Sequence, residues 1–261
     1  MSRWLATGVA LAFAVLATAA GAQEPMNTEQ MVEVLRTLDE RQRNSGDYKS
    51  LAYIESHERG RDVTFYEAVV YRRDADDNLM ILFLNPKTER GKGYLRIEKN
   101  LWMFDPSVGK WERRTERERI AGTDSRRADF DESRLALEYD PSFAGYEKLG
   151  KFDVVKLVLQ AKAGVDVAYP TVHLWVDKEN SNILKRQDFA LSGKLMRTGY
   201  YPKWQKVFSE SKGTDVWYPL EMRFFDEVEK ENKTTISIKS VDLNALPANM
   251  FTKAWLESQS R

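Results

Sequence analysis

Apolar residues first recur with the period of a helix and then, for most of the chain, with the period of a strand. Met31, Val34, Leu35 and Leu38 fall on one helical stripe. Asn27 and Gln30 stand three apart just ahead of it, the spacing of a capping box, and Asn44-Ser45-Gly46-Asp47 ends the run. Short strand-like stretches then follow at 48–56, 62–73, 78–84 and 93–99. A hairpin comes next: Leu101-Trp102-Met103-Phe104 and Lys110-Trp111-Glu112-Arg113-Arg114 flank the turn Asp105-Pro106-Ser107-Val108-Gly109. After a charged, irregular segment the strand pattern resumes at 152–161, 171–177, 183–191, 194–207, 215–225 and 234–241. Leu246-Pro247 and a short helical tail through Trp255 and Leu256 close the chain. Many short strands separated by turn residues predict an antiparallel sheet or barrel. No strand-helix-strand rhythm appears, which argues against a parallel fold.

Several strands are apolar on both faces. Met80, Leu82 and Leu84 alternate with Leu79, Ile81 and Phe83, and Val155, Leu157 and Leu159 alternate with Val154 and Val158. An antiparallel sheet with one wet face would be polar on that face. Two arrangements satisfy the pattern: a closed β-sandwich, or a concave sheet whose inner face holds an apolar ligand beneath a helical cover.

The first residues belong to a different regime. Arg3 precedes an apolar run from Leu5 to Ala19, and Ala20-Gly21-Ala22 supplies the small residues that a signal peptidase reads. The pattern predicts a leader over 1–22 cleaved before Gln23, with an uncleaved membrane anchor as the alternative. Residues 23–261 are then one exported domain. Without the leader the chain keeps 39 basic against 40 acidic residues. That balance offers no global attraction to nucleic acid or an anionic membrane. The absence of cysteine excludes disulfides, thiolate metal sites and a lipid-bearing N-terminal cysteine.

Candidate chemistry changes this picture little. The two histidines, His57 and His173, are far apart and each sits on a predicted strand. No nucleophile elbow, zinc-binding helix or phosphate loop is present. Asp74-Ala75-Asp76-Asp77 falls at a hairpin turn and lacks the spaced ligands and terminal glutamate of a calcium loop. The sequence therefore predicts a protein that is not an enzyme and needs no cofactor or metal. The run Arg113 to Arg119 alternates charge, as a self-paired solvated surface does; docking to a charged partner or lipid headgroup is the other reading. The tryptophans, Trp102 and Trp111 among them, are core or rim residues by the same reasoning.

Order and spacing of several short pieces add a resemblance. They are Leu101-Trp102-Met103-Phe104-Asp105-Pro106 with Arg113-Arg114, then Gly122-Thr123-Asp124 before Asp129-Phe130 and Leu135, and Val176-Asp177-Lys178. Lys194-Leu195 with Tyr200, Tyr218-Pro219-Leu220 with Met222, and Leu246-Pro247 before Met250-Phe251-Thr252 complete the set. Across its mature length the chain resembles the bacterial outer-membrane lipoprotein-sorting proteins, the LolA-like group. It looks closer to the branch often encoded beside large lipid-exporting transporters than to the general lipoprotein carrier.

The resemblance implies a mainly β fold: a single strongly curved antiparallel sheet, an incomplete β-barrel, with an N-terminal helix and a helical lid. It implies a periplasmic carrier that binds a lipid or lipoprotein acyl chain reversibly, with an inner-membrane lipid transporter or an outer-membrane acceptor as its partner. Relatives of this architecture that act as sensors of a membrane-bound regulator supply the rival reading. Burial of an acyl chain contributes about 0.8 kcal/mol per methylene, enough to hold cargo in water without covalent chemistry. The expected lining is Leu82, Leu84, Leu95, Ile97, Trp102, Phe104, Leu157, Leu159, Leu174 and Met222. Because a one-residue slip exchanges the two faces of a strand, this set is tied to one choice of register. Residues 120–135 are the expected movable cover, with Gly122 as hinge, Asp129 or Asp131 capping a helix that begins near Glu132, and Phe130 laid over the cavity.

Overall fold

The computed structural model of the protein describes residues 23–43, 46–97, 100–114, 120, 123, 133–210 and 212–260. The chain enters through helix α1 (Thr28–Arg43). The capping box forms as its spacing predicts: Asn27 N donates to Gln30 Oε1 and Gln30 N to Asn27 Oδ1, each at 2.9 Å. Met31, Leu35 and Leu38 are buried along the predicted stripe, and Val34 packs beside them.

Six strands follow in pairs: β1 (Asp47–His57), β2 (Thr64–Arg73), β3 (Asn78–Asn85), β4 (Gly93–Ile97), β5 (Asn100–Asp105) and β6 (Lys110–Arg114). After a short helix α2 (Leu135–Glu138) come β7 (Tyr139–Leu149), β8 (Phe152–Ala161), β9 (Thr171–Asp177) and β10 (Ile183–Phe189). The sheet is completed by β11 (Leu195–Ser209), β12 (Thr214–Asp226) and β13 (Lys233–Asp242), and helix α3 (Lys253–Gln259) ends the chain. All thirteen strands belong to one sheet, in the order β6-β5-β4-β3-β2-β1-β13-β12-β11-β10-β9-β8-β7. It is antiparallel and does not close into a barrel. Strands β6 and β7, consecutive in the chain, form its two opposite edges.

Both edges carry residues that discourage pairing with another chain. β6 is the charged segment Lys110-Trp111-Glu112-Arg113-Arg114, and β7 contains Pro141. The sequence pattern does not announce β7. Pro141 and Gly145 interrupt it, and most of its side chains are half-buried or exposed, which suits an edge strand, although burial alternates from Tyr139 to Gly145. The run expected to continue to 191 stops at Phe189, because Leu191 projects into solvent in the turn to β11.

The turn after β2 is a single 3₁₀ turn (Asp74–Asp76) followed by Asp77 in the left-handed region, φ 51°. Arg96 donates from Nη2 to Asp77 Oδ1 at 2.6 Å and from Nε to Asp77 O at 3.0 Å, while Arg72 Nη2 reaches the same Oδ1 at 3.2 Å. Both arginines are buried, and Arg96 is 0% exposed. The two guanidiniums thus fix a turn that its composition alone would leave to water.

Strand registers sort the side chains onto two faces. One face carries Leu157, Leu174, Gly199, Phe224, Ile236, Ile54, Val70, Ile81, Tyr94 and Leu101 in lateral sequence, and α1 and α2 pack on its β7–β9 wing. On the other face, α3 covers Val69, Met80, Leu82, Leu95 and Phe104. Two-sided apolarity therefore comes from helices on opposite faces of a single sheet, rather than from a sandwich of two. The helix α3 sits very close to β4: a Cβ on Gly93 would lie 2.8 Å from Leu256 Cδ1 and 2.9 Å from Ile81 O. A glycine is needed there for the helix to touch the strand.

Candidate functional site

The ten described residues expected to line a cavity divide between these faces. Leu157, Leu159, Leu174 and Met222 lie on the α1 face. Leu82, Leu84, Leu95, Ile97, Trp102 and Phe104 lie on the α3 face, one register step away from the α1 face. There they form a seat for α3. Trp111 Nε1 donates to Glu257 Oε1 at 2.6 Å, Lys253 Nζ stands 3.8 Å from the Trp102 ring centroid, and Trp255 meets Tyr71 edge-on at 5.5 Å. Phe130, the expected lid residue, lies outside the described residues, as do Gly122, Asp129, Asp131 and Glu132.

The described residues of the β6–β7 connection lie on the α1 face. The connection must travel from one edge of the sheet to the other, and its described residues are anchored at both ends on this face. Ile120 is 3% exposed in the cluster of Ile81, Phe83, Tyr94 and Leu101, and Thr123 closes a turn by donating from N and Oγ1 to Ile120 O at 2.9 and 2.7 Å. At the far end Leu135 is buried with Met31, Leu35 and Leu38. Its helix starts at Leu135, and its first amides are capped by Asp39 of α1. Asp39 accepts from Leu135 N at 2.8 Å, Ala136 N at 2.9 Å and Ser133 Oγ at 2.5 Å. A residue ninety-six positions away thus supplies the cap, something a local capping rule cannot anticipate.

Beside the Ile120 anchor lies a cavity of about 290 Å³ lined by Phe83, Glu89, Lys92, Tyr94, Met103 and Arg114. Its floor is aromatic and thioether; its rim is charged. Lys92 Nζ is 3.0 Å from Glu89 Oε1 and 3.6 Å from Asp105 Oδ2, and Arg114 Nη2 is 2.8 Å from Glu112 Oε2. Burial works against the Lys92 charge, but Glu89 and Asp105 outweigh it and raise its pKa. A void of this size is near the lower end of small-molecule sites.

The middle of the face is polar. Arg186 and Asp188 on β10, Arg197 on β11 and Asp226 on β12 occupy adjacent register positions, and Tyr139 stands toward the β7 edge. Tyr139 is 5% exposed and donates to Tyr169 O at 3.0 Å. Burial, opposed by Arg186, pushes its phenol up to about 12. Folding therefore favours the protonated form, and this stabilisation is complete below about pH 10 and is lost as pH rises toward 12, a contribution of roughly 2–3 kcal/mol. Tyr139→Phe should show a smaller fall in urea stability between neutral and strongly alkaline pH than the parent. An identical fall would place the titrating group elsewhere.

His173 lies on the opposite face against Phe189, with ring centroids at 4.4 Å, and burial together with Lys156 and Lys185 lowers its pKa. His57 is paired with Glu55 at 2.5 Å on β1. Among the described residues, no cluster of His, Asp and Glu is arranged to hold a metal ion, and no helix is long and apolar enough to cross a membrane.

This architecture, an open antiparallel sheet with helices on both of its faces, is the LolA-like fold. A domain from Vibrio parahaemolyticus described as an outer membrane lipoprotein-sorting protein matches 88% of this chain and 100% of its own, with TM-score 0.75 at 16% identity. A LolA superfamily protein from Nitrosomonas europaea matches 88% and 99%, with TM-score 0.68 at 21% identity. A DUF1329 family protein from Desulfovibrio piger matches 88% and 100%, with TM-score 0.75 at 18% identity. No curated protein matches the chain. A family model whose description reads "Uncharacterized protein" matches residues 75–258, and the chain belongs to that family.

Proposed function

We propose that this protein is a periplasmic carrier that binds an acyl chain of a lipid or lipoprotein on the α1 face and passes it between envelope components. In this reading residues 1–22 are a leader removed after Ala22, residues 23–261 form the carrier domain, and no covalent chemistry or cofactor takes part. An inner-membrane lipid transporter donates the cargo or an outer-membrane acceptor receives it. The observation that carries the reading is the cavity over Phe83, Tyr94 and Met103, beside the buried Ile120 of the β6–β7 connection. The LolA-like fold supports it.

Magnitudes agree with reversible binding. About ten buried methylenes contribute roughly 8 kcal/mol, which corresponds to a micromolar dissociation constant before ordering costs. Phe130 is proposed as the lid residue against the chain, with Leu157, Leu159, Leu174 and Met222 as wall residues of the same face. Met103→Trp fills the cavity with an indole. It should weaken binding of a fluorescent fatty acid by roughly tenfold or more while leaving the thermal midpoint of the empty protein nearly unchanged. Unaltered probe affinity would remove this cavity from the binding site. A deletion strain should show disturbed lipid or lipoprotein distribution. Normal distribution with an activated envelope-stress response would favour the sensor instead.

A further inference from the structure

Among the described residues, the α1 face carries a cation built differently from its neighbours. Arg186 stands opposite Leu174 on one side and Gly199 on the other. Its Nε donates to Asp188 Oδ1 at 2.6 Å, and Asp188 is 2% exposed. Among the described residues, Nη1 and Nη2 of Arg186 make no hydrogen bond, and the side chain keeps 31% of its surface open. The neighbouring Arg197 is buried, with Cζ 4.0 Å from the centroid of the Phe224 ring. At the cavity rim Lys92 and Arg114 are already held by carboxylates.

Geometry gives this open edge a direction. Asp188 fixes the plane of the guanidinium from one side. Gly199 removes the side chain that would crowd it on the next strand, where a Cβ would already lie 3.3 Å from the Phe224 ring and 3.4 Å from Tyr201 Oη. What remains is a pair of parallel N–H donors in the polar middle of the face, the fork that a carboxylate or phosphate fits with two hydrogen bonds. Simple neutralisation of Asp188 does not require this arrangement, since Arg197 faces Asp188 across the same ladder. Burial opposes the Arg186 charge, but Asp188 and Tyr201 more than offset it, so the guanidinium stays charged at any working pH.

We propose that Arg186 is the headgroup-binding residue of the α1 face and that the cargo is an anionic amphiphile, an acyl chain ending in a carboxylate or a phosphate monoester. This rests on the carrier reading and narrows it to one ligand class. The test compares a fluorescent fatty acid with its methyl ester at pH 8, and adds a lysophosphatidic acid of the same chain length as competitor. The unaltered protein should bind the acid roughly ten- to a hundredfold more tightly than the ester. Arg186→Gln should bring the acid to the affinity of the ester, and Arg186→Lys should keep part of the preference. Tighter competition by the phosphate identifies a lipid phosphate as the source of the anion, and weaker competition identifies a free fatty acid. Equal affinity for acid and ester in the unaltered protein overturns the headgroup assignment and leaves the carrier reading standing. Failure of both to bind overturns the two together. The comparison in the unaltered protein decides the matter even if a variant does not fold.

Discussion

Arg96→Met should lower the free energy of unfolding by about 2–3 kcal/mol. The guanidinium is 0% exposed and makes two hydrogen bonds to Asp77, one to its carboxylate and one to its carbonyl. Methionine fills much of the volume but satisfies neither acceptor, and it leaves Arg72 as the sole remaining guanidinium on Asp77 Oδ1 among the described residues. The left-handed backbone at Asp77 then loses the partner that holds it, so the β2–β3 turn and the β3–β4 register loosen together. Urea denaturation measures the change. A loss below about 1 kcal/mol would put the pair in the class of exposed ion pairs and contradict its structural role.

Leu35→Ala should cost about 2–5 kcal/mol. Leu35 is 0% exposed at the centre of the α1 stripe, between Met31 and Leu38 and above the Leu157–Leu174 ladder. Truncation opens a void under the helix that also supplies Asp39 to the first amides of α2. Hydrogen exchange at Leu135 and Ala136 should therefore accelerate along with global destabilisation. Destabilisation without faster exchange at those amides would separate α1 packing from the α2 anchor.

Much of this fold was legible in the sequence, for local reasons. The Asn27–Gln30 capping box and the Met31–Leu38 stripe need only neighbours within a helical turn. Strands such as 152–161 and 171–177 announce themselves by dense apolar content and appear at those boundaries. The β7 strand escaped because Pro141 and Gly145, both poor strand formers, punctuate a run whose burial nonetheless alternates from Tyr139 to Gly145. The choice of face failed to come through for a related reason. Leu82, Leu95 and Phe104 are as apolar as Ile81 and Phe83, and only the position of α3, fixed by Gly93 and Leu256, says which set it covers.

Arg186 was missed because a charged residue on a strand reads as solvated. Its signal was the spacing of Arg186 and Asp188 on one face, with Arg197 paired across the ladder, inside a stretch flanked by strongly apolar strands. Asp39 carried no such signal: its role depends on Leu135 arriving from ninety-six residues away.

Native mass spectrometry of the protein purified from its own periplasm tests the central claim most directly. The account predicts a population carrying one noncovalent adduct with the mass of an acylated anionic molecule, released by mild organic extraction and replaced on adding fatty acid. Protein that is reproducibly empty, and that gains no adduct when offered fatty acid or lysophosphatidic acid, would contradict it.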